Sequence, residues 1–69
     1  MFTLNVGKIR HIMKQRNLTA ENLKAAGITP TLADDIDENR DIRTRDFSPL
    51  VQLGKALQVS PFELVLNSI

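Results

Sequence analysis

Apolar residues recur along this chain at two spacings. Phe2, Leu4 and Val6 alternate with Thr3 and Asn5, which is the period of a β-strand. From Val6 onward the spacing changes. Val6, Ile9 and Met13 recur at intervals of three and four, and Ile12 widens the stripe. This predicts a first helix from about Val6 or Gly7 to Arg16. Asn17, a residue that tolerates left-handed geometry, ends it. His11 reads as a surface or half-buried residue beside the stripe. The strand-like arm needs a partner, and two readings are open. It packs on the first helix, or it pairs with its copy in a second subunit.

The stretch from Leu18 to Ile36 organises the rest. Thr19 is a good N-cap, and Leu23 and Ala26 share a face of the helix that follows, about Ala20 to Ala26. Asn22 stands where a capping box would have Glu or Gln, so the box reads as incomplete. Gly27 supplies the positive φ that a tight turn needs, and Ile28 reads as a buried plug. Thr29 is a second N-cap, with Pro30 at the first helical position, where a missing N–H costs nothing. Leu32, Ala33 and Ile36 then recur at helical spacing, giving a third helix over about Pro30 to Glu38. Two helices joined by a glycine-containing turn make a helix-turn-helix. The solvent face of the third helix carries Thr31, Asp34, Asp35 and Glu38. Acids early in a helix gain ~0.3–1 kcal/mol each from its dipole, which is a structural account of Asp34 and Asp35.

Residues 39–46 have no clean period and read as a loop. Asp46 or Ser48 is placed to cap a fourth helix, with Pro49 in its first turn. Leu50, Leu53, Gly54 and Leu57 lie on one side of that helix, extended by Val51 and Ala56. An interior glycine costs ~1 kcal/mol against alanine, so Gly54 predicts a close helix–helix approach. After the link Gln58-Val59, Ser60 and Pro61 open a fifth helix containing Phe62, Leu64, Val65, Leu66 and Ile69. That helix is apolar most of the way round, more than a small core can cover. The surplus predicts a homodimer through Phe62, Leu66 and Ile69, joined by Phe2 and Leu4 if the arm pairs with its copy; the alternative is that a small domain uses most of that surface internally.

The totals narrow the classes. Sixty-nine residues predict one domain with a small core. There is no cysteine for a disulfide or thiolate site, and one histidine builds no metal cluster alone. No apolar run approaches the roughly 20 residues of a membrane span, and the opening residues lack a signal-peptide pattern. A cytoplasmic protein with no cofactor and no metal is the expectation. An enzyme is not expected, because there is no triad and no glycine-rich phosphate cradle. The net charge is only +1, but its distribution is uneven. Lys8, Arg10, Lys14, Arg16 and Lys24 face only Glu21 in the first half. Asp34, Asp35, Asp37, Glu38 and Asp41 then form an acidic block broken by Arg40, and Arg43 and Arg45 follow.

In this order of elements the chain resembles the phage repressor/Cro-like, or Xre-type, helix-turn-helix family. The residues carrying the resemblance are Ile-Arg-His-Ile-Met-Lys-Gln-Arg-Asn-Leu-Thr at 9–19 and the turn Ala-Gly-Ile-Thr at 26–29. Ile36 followed by Asp37, and Leu-Gly-Lys-Ala-Leu-Gln-Val-Ser-Pro-Phe-Glu-Leu at 53–64, extend it over nearly the whole chain after the arm. The resemblance implies an all-α, five-helix lambda-repressor-like domain that binds double-stranded DNA as a dimer and regulates transcription. In such domains the second helix of the motif enters the major groove while the first crosses the backbone. Carried over, Thr19 meets a phosphate, and Thr29, Pro30 and Thr31 lie at the groove-facing start of the third helix. Asp34 and Asp35 match positions that reach base edges. Arg40, Arg43 and Arg45 fall in the loop flanking the backbone.

Four residues depart from the family pattern. Ala20 replaces the usual Gln, two aspartates replace Ser, Arg, Gln or Lys, and Asn39 stands where the loop usually has Gly. An aspartate can accept from cytosine N4, but acids near phosphates oppose binding. Arg10, Lys14 and the loop arginines offset them if they share the DNA face. The alternative for the loop is a solvated segment pairing with nearby acids. The alternative for the chain is a protein-interaction module that keeps the fold and meets a basic partner through its acidic helix.

Overall fold

The computed structural model describes residues 1–66. Within them lie four α-helices and a small sheet. Strand β1 covers Phe2–Leu4 and runs into helix α1, Val6–Gln15. Asn5 caps α1 by accepting the Lys8 backbone N–H at 3.2 Å. Asn17 takes φ 56, as its position predicts. Helices α2, Ala20–Ala25, and α3, Pro30–Asp37, follow. Strand β2, Arg43–Thr44, precedes helix α4, Ser48–Leu57. A 3-10 turn, Pro61–Leu64, leads into strand β3, Val65–Leu66.

The arm finds its partners inside its own chain. β1 is the central strand of a sheet ordered β2-β1-β3, with both neighbours antiparallel. Phe2 pairs with Thr44 and Thr3 with Arg43 on one side. Thr3 pairs with Leu66 and Leu4 with Val65 on the other. With both edges occupied, β1 has no backbone left for a second subunit. Leu4 is 2% exposed and belongs to the core, which removes it from any dimer surface. The loop at 39–46 accordingly contains a strand that its mixed polar sequence did not announce.

The fifth helix is replaced by the 3-10 turn and β3. Ser60 does cap, accepting the Phe62 N–H at 3.3 Å, and Pro61 does open a turn. The turn stops because Val65 adopts extended geometry, φ −103 and ψ 137, to pair with β1. Long-range backbone pairing and the β preference of valine override the apolar pattern. Leu64 is buried, while Leu66 points outward. The domain is therefore helix-rich with a sheet, rather than five helices. Ile69 lies outside the described residues.

The core joins Leu4, the apolar stripe of α1, Leu23, Ile28, Ala33, Ile36, the Leu50–Leu53–Leu57 face of α4, and Leu64. Ala26 stands outside it, exposed at the end of α2, and Val51 is also exposed. No polar side chain is buried among the described residues, and no helix there is long and apolar enough to cross a membrane. Phe47 is the residue before α4 and provides no side-chain cap, so neither Asp46 nor Ser48 has the predicted role. The Asp46 N–H instead bonds to Thr44 Oγ1 at 3.2 Å.

Gly54 permits a close approach, though to a backbone segment rather than a helix. A Cβ there would lie 2.8 Å from the Val59 carbonyl oxygen and 3.2 Å from the Pro61 nitrogen. The Val59 N–H also bonds to the Gly54 carbonyl at 2.9 Å. Gly54→Ala is expected to lower stability by about 1–3 kcal/mol, against the sign of alanine's helix propensity. Urea unfolding of the variant checks this.

Candidate nucleic-acid interface

The helix-turn-helix is built by local chemistry at each corner. Thr19 Oγ1 accepts the Asn22 N–H at 3.3 Å, and Asn22 Oδ1 accepts the Thr19 N–H at 2.8 Å. The shorter asparagine therefore completes the capping box that the sequence reading left incomplete. Thr19 Oγ1 also lies 3.0 Å from Asn22 Oδ1 and donates to it. Its hydroxyl proton is thus committed, and donating to a phosphate would require releasing Asn22. At the other end of α2, Gly27 takes φ 98, and the Ile28 N–H returns to the Leu23 carbonyl at 3.0 Å. Ile28 is buried as the plug between the helices.

α3 buries Ala33 and Ile36 and leaves its polar residues outside. Thr29 occupies the N-cap position without a side-chain capping bond, so its hydroxyl stays available. Thr29, Pro30 and Thr31 are all exposed at this leading end. Asp34 and Asp35 fall beyond the first turn, so the dipole account of them does not apply. Their partners are cations instead. Lys24 Nζ stands 3.0 Å from Asp34 Oδ1 and 3.3 Å from Glu21 Oε2, tying α2 to α3. Arg40 lies 2.7 Å from Glu38 and 4.0 Å from Asp35. Arg43 lies 3.7 Å from Asp41. Much of the acidic block is thus matched by neighbouring cations, as one reading of the loop predicted. Arg45 is exposed and has no ion pair among the described residues.

Two hollows flank α3 and take in some of the predicted residues. Thr29, Thr31, Asp35 and Arg43 line one of about 260 Å³, together with Leu32, Ile42 and Thr44. Thr19 lines a second of about 480 Å³ with Arg10, His11, Lys14, Asp37 and Asn39. Pro30, Asp34, Arg40 and Arg45 line neither. The second hollow adds Arg10 and Lys14, which the site residues carried over from the family omit. Their signal was the spacing of four on α1, which puts two cations on one face. Asn39 takes φ 58, a left-handed turn geometry that asparagine tolerates and glycine adopts at no steric cost.

Among the described residues no group of three or more His, Cys, Asp or Glu side chains gathers to hold a metal. The arrangement offers hydroxyls, carboxylates and guanidinium groups on an open surface. No family model, curated protein or solved structure matches the chain.

Hydrogen bonding to Asp34, and then to Glu21, raises the Lys24 pKa above its usual value. A raised lysine pKa stabilises the fold fully below the unfolded value near ~10.4, and that contribution is lost as pH rises through the folded value. Lys24→Met should therefore lower the urea midpoint at neutral pH. The gap from wild type should close as pH passes above the ordinary lysine range.

Proposed function

We propose that this chain is a sequence-specific, DNA-binding transcriptional regulator of the repressor/Cro-like type, acting as a dimer. The observation that carries the reading is the α2–Gly27–α3 unit, with Thr29, Pro30 and Thr31 exposed at the leading end of α3. Such an end, projecting short hydroxyl side chains, suits entry into a major groove. Asp34 and Asp35 lie further along the same helix. Arg40, Arg43 and Arg45 follow it on the chain. Arg10 and Lys14 add cations beside Thr19. Cations on both flanks of α3 suit contact with two stretches of phosphate backbone.

The dimer contact is the apolar surface beside the sheet. Phe2, Phe47 and Phe62 pack in series with tilted rings, their centroids 5.1 and 5.2 Å apart. Phe62 is 72% exposed, Leu66 50% and Met1 77%. Large apolar side chains clustered this openly favour association over solvent. A two-fold dimer would present two α3 helices to successive turns of one groove.

A second reading has its own support. Asp34, Asp37, Glu38 and Asp41 are all exposed, and Asp37 has no ion pair among the described residues. A basic protein partner would meet that face, and the fold would serve as an interaction module.

Selection from random duplex DNA at two salt concentrations separates the readings. A palindromic motif enriched at both supports the dimeric reader. Weak, salt-sensitive retention without a motif favours the interaction module. On a selected site, Arg43→Ala, Arg45→Ala and Arg10→Ala should each weaken binding. Each should reduce the slope of log affinity against log salt by about 1. Arg40→Ala should do less, since Arg40 is held by Glu38. Phe62→Glu should shift sedimentation from dimer to monomer while leaving the helical circular dichroism unchanged.

A further inference from the structure

Asp34 is set apart from the other acids by what holds it. Its Oδ1 is bound at 3.0 Å by Lys24 of the preceding helix, and Lys24 is itself held at 3.3 Å by Glu21. The chain of charges Glu21–Lys24–Asp34 crosses from α2 to α3. Lys24 is half-buried between them. Asp34 Oδ2 has no ion-pair partner among the described residues, and the side chain is about half exposed. Thr31 lies three residues earlier and shares that face of the helix. The buried Ala33 and Ile36 fix which way the face turns.

We propose that Asp34 reads a cytosine in the major groove and that Lys24 is the positioning residue enabling it to do so. The inference rests on the DNA-binding reading above. A carboxylate only accepts hydrogen bonds. In the major groove guanine presents the acceptors N7 and O6, and thymine presents O4 and a methyl group. Adenine places an acceptor beside its amino donor. Cytosine alone offers a donor, N4, without one. A free Oδ2 therefore selects cytosine and is repelled by guanine and thymine. The ammonium on Oδ1 offsets the charge that would otherwise oppose nearby phosphates, and it holds the carboxylate's direction. Asp35, 4.0 Å from Arg40, lacks a comparably close cation.

The test is selection from random duplex DNA with wild type, Asp34→Ala, Asp34→Asn and Lys24→Gln, followed by affinity measurements on the selected site. The wild-type motif should contain a C·G pair in each half-site. Replacing that pair in the site should weaken wild-type binding by roughly 5- to 150-fold, the usual cost of one mismatched base pair. Asp34→Ala should lose that preference at one position and keep the rest of the motif. Asp34→Asn should move the preference toward adenine, whose N6 and N7 fit an amide. Lys24→Gln should weaken binding to all duplexes by about tenfold, and adding Asp34→Ala should recover most of that loss. Thermal unfolding of each variant separates lost folding from lost reading, and the isosteric Asp34→Asn keeps the test open if the alanine variant unfolds. An unchanged motif from Asp34→Ala overturns the reading of cytosine. Wild-type affinity in Lys24→Gln overturns the positioning role. A wild type that enriches no motif overturns the DNA-binding reading itself, and this inference with it.

Discussion

The domain depends on the backbone pairing of β1 with strands on both of its sides. Buried backbone polar groups must be paired, and here a short segment satisfies three parts of the chain together. The Leu4 N–H reaches the Ile42 carbonyl at 2.9 Å, and the Asn5 N–H reaches Leu64 at 2.7 Å. These bonds seat Leu4 in the core and start α1 at Asn5. They also hold the loop after α3 in place, which sets where Arg43 stands relative to Thr29 and Thr31. Without β1, the helix-turn-helix would keep its corners but lose the support behind its leading helix.

Charge acts on top of this frame. Exposed ion pairs contribute little to stability, so the pairs along α3 matter more for the potential they leave at the surface. Lys24 and Arg40 turn a run of acids into alternating charges, while Arg45, Arg10 and Lys14 retain cationic character at the flanks. The net charge of the whole chain, +1, hides this arrangement, since it adds acids and bases without regard to where they stand.

The helices were legible because their determinants are local. Spacings of three and four, the Thr19 cap, the glycine of the turn and the prolines at helix starts placed α1 to α4 to within a residue or two, although the caps expected for α4 from Asp46 or Ser48 did not form. The sheet was less legible because its partners are distant. The alternation of Phe2, Leu4 and Val6 announced a strand without naming its neighbours, and Arg43–Thr44 carried no apolar alternation. Val65 and Leu66 looked helical because one apolar run serves either period. Thr19, Thr29 and Thr31 could be placed from the sequence, but the double engagement of the Thr19 hydroxyl depends on the rotamer of Asn22. The pairing of Lys24 with Asp34 depends on the angle between two helices, which no spacing along the chain encodes.

The central strand also imposes an order of events during synthesis. Residues 2–4 leave the ribosome some sixty residues before one of their two neighbours, Val65–Leu66. At ~5–20 residues per second the strand waits several seconds for that neighbour. The α2–α3 corner, made of contacts close in sequence, can form during the wait, whereas closure of the sheet carries the cost of joining distant segments. Through that interval the nascent chain exposes Phe2 and Leu4 beside an unpaired strand edge, which is the form most open to chaperone capture or to mispairing with another nascent copy.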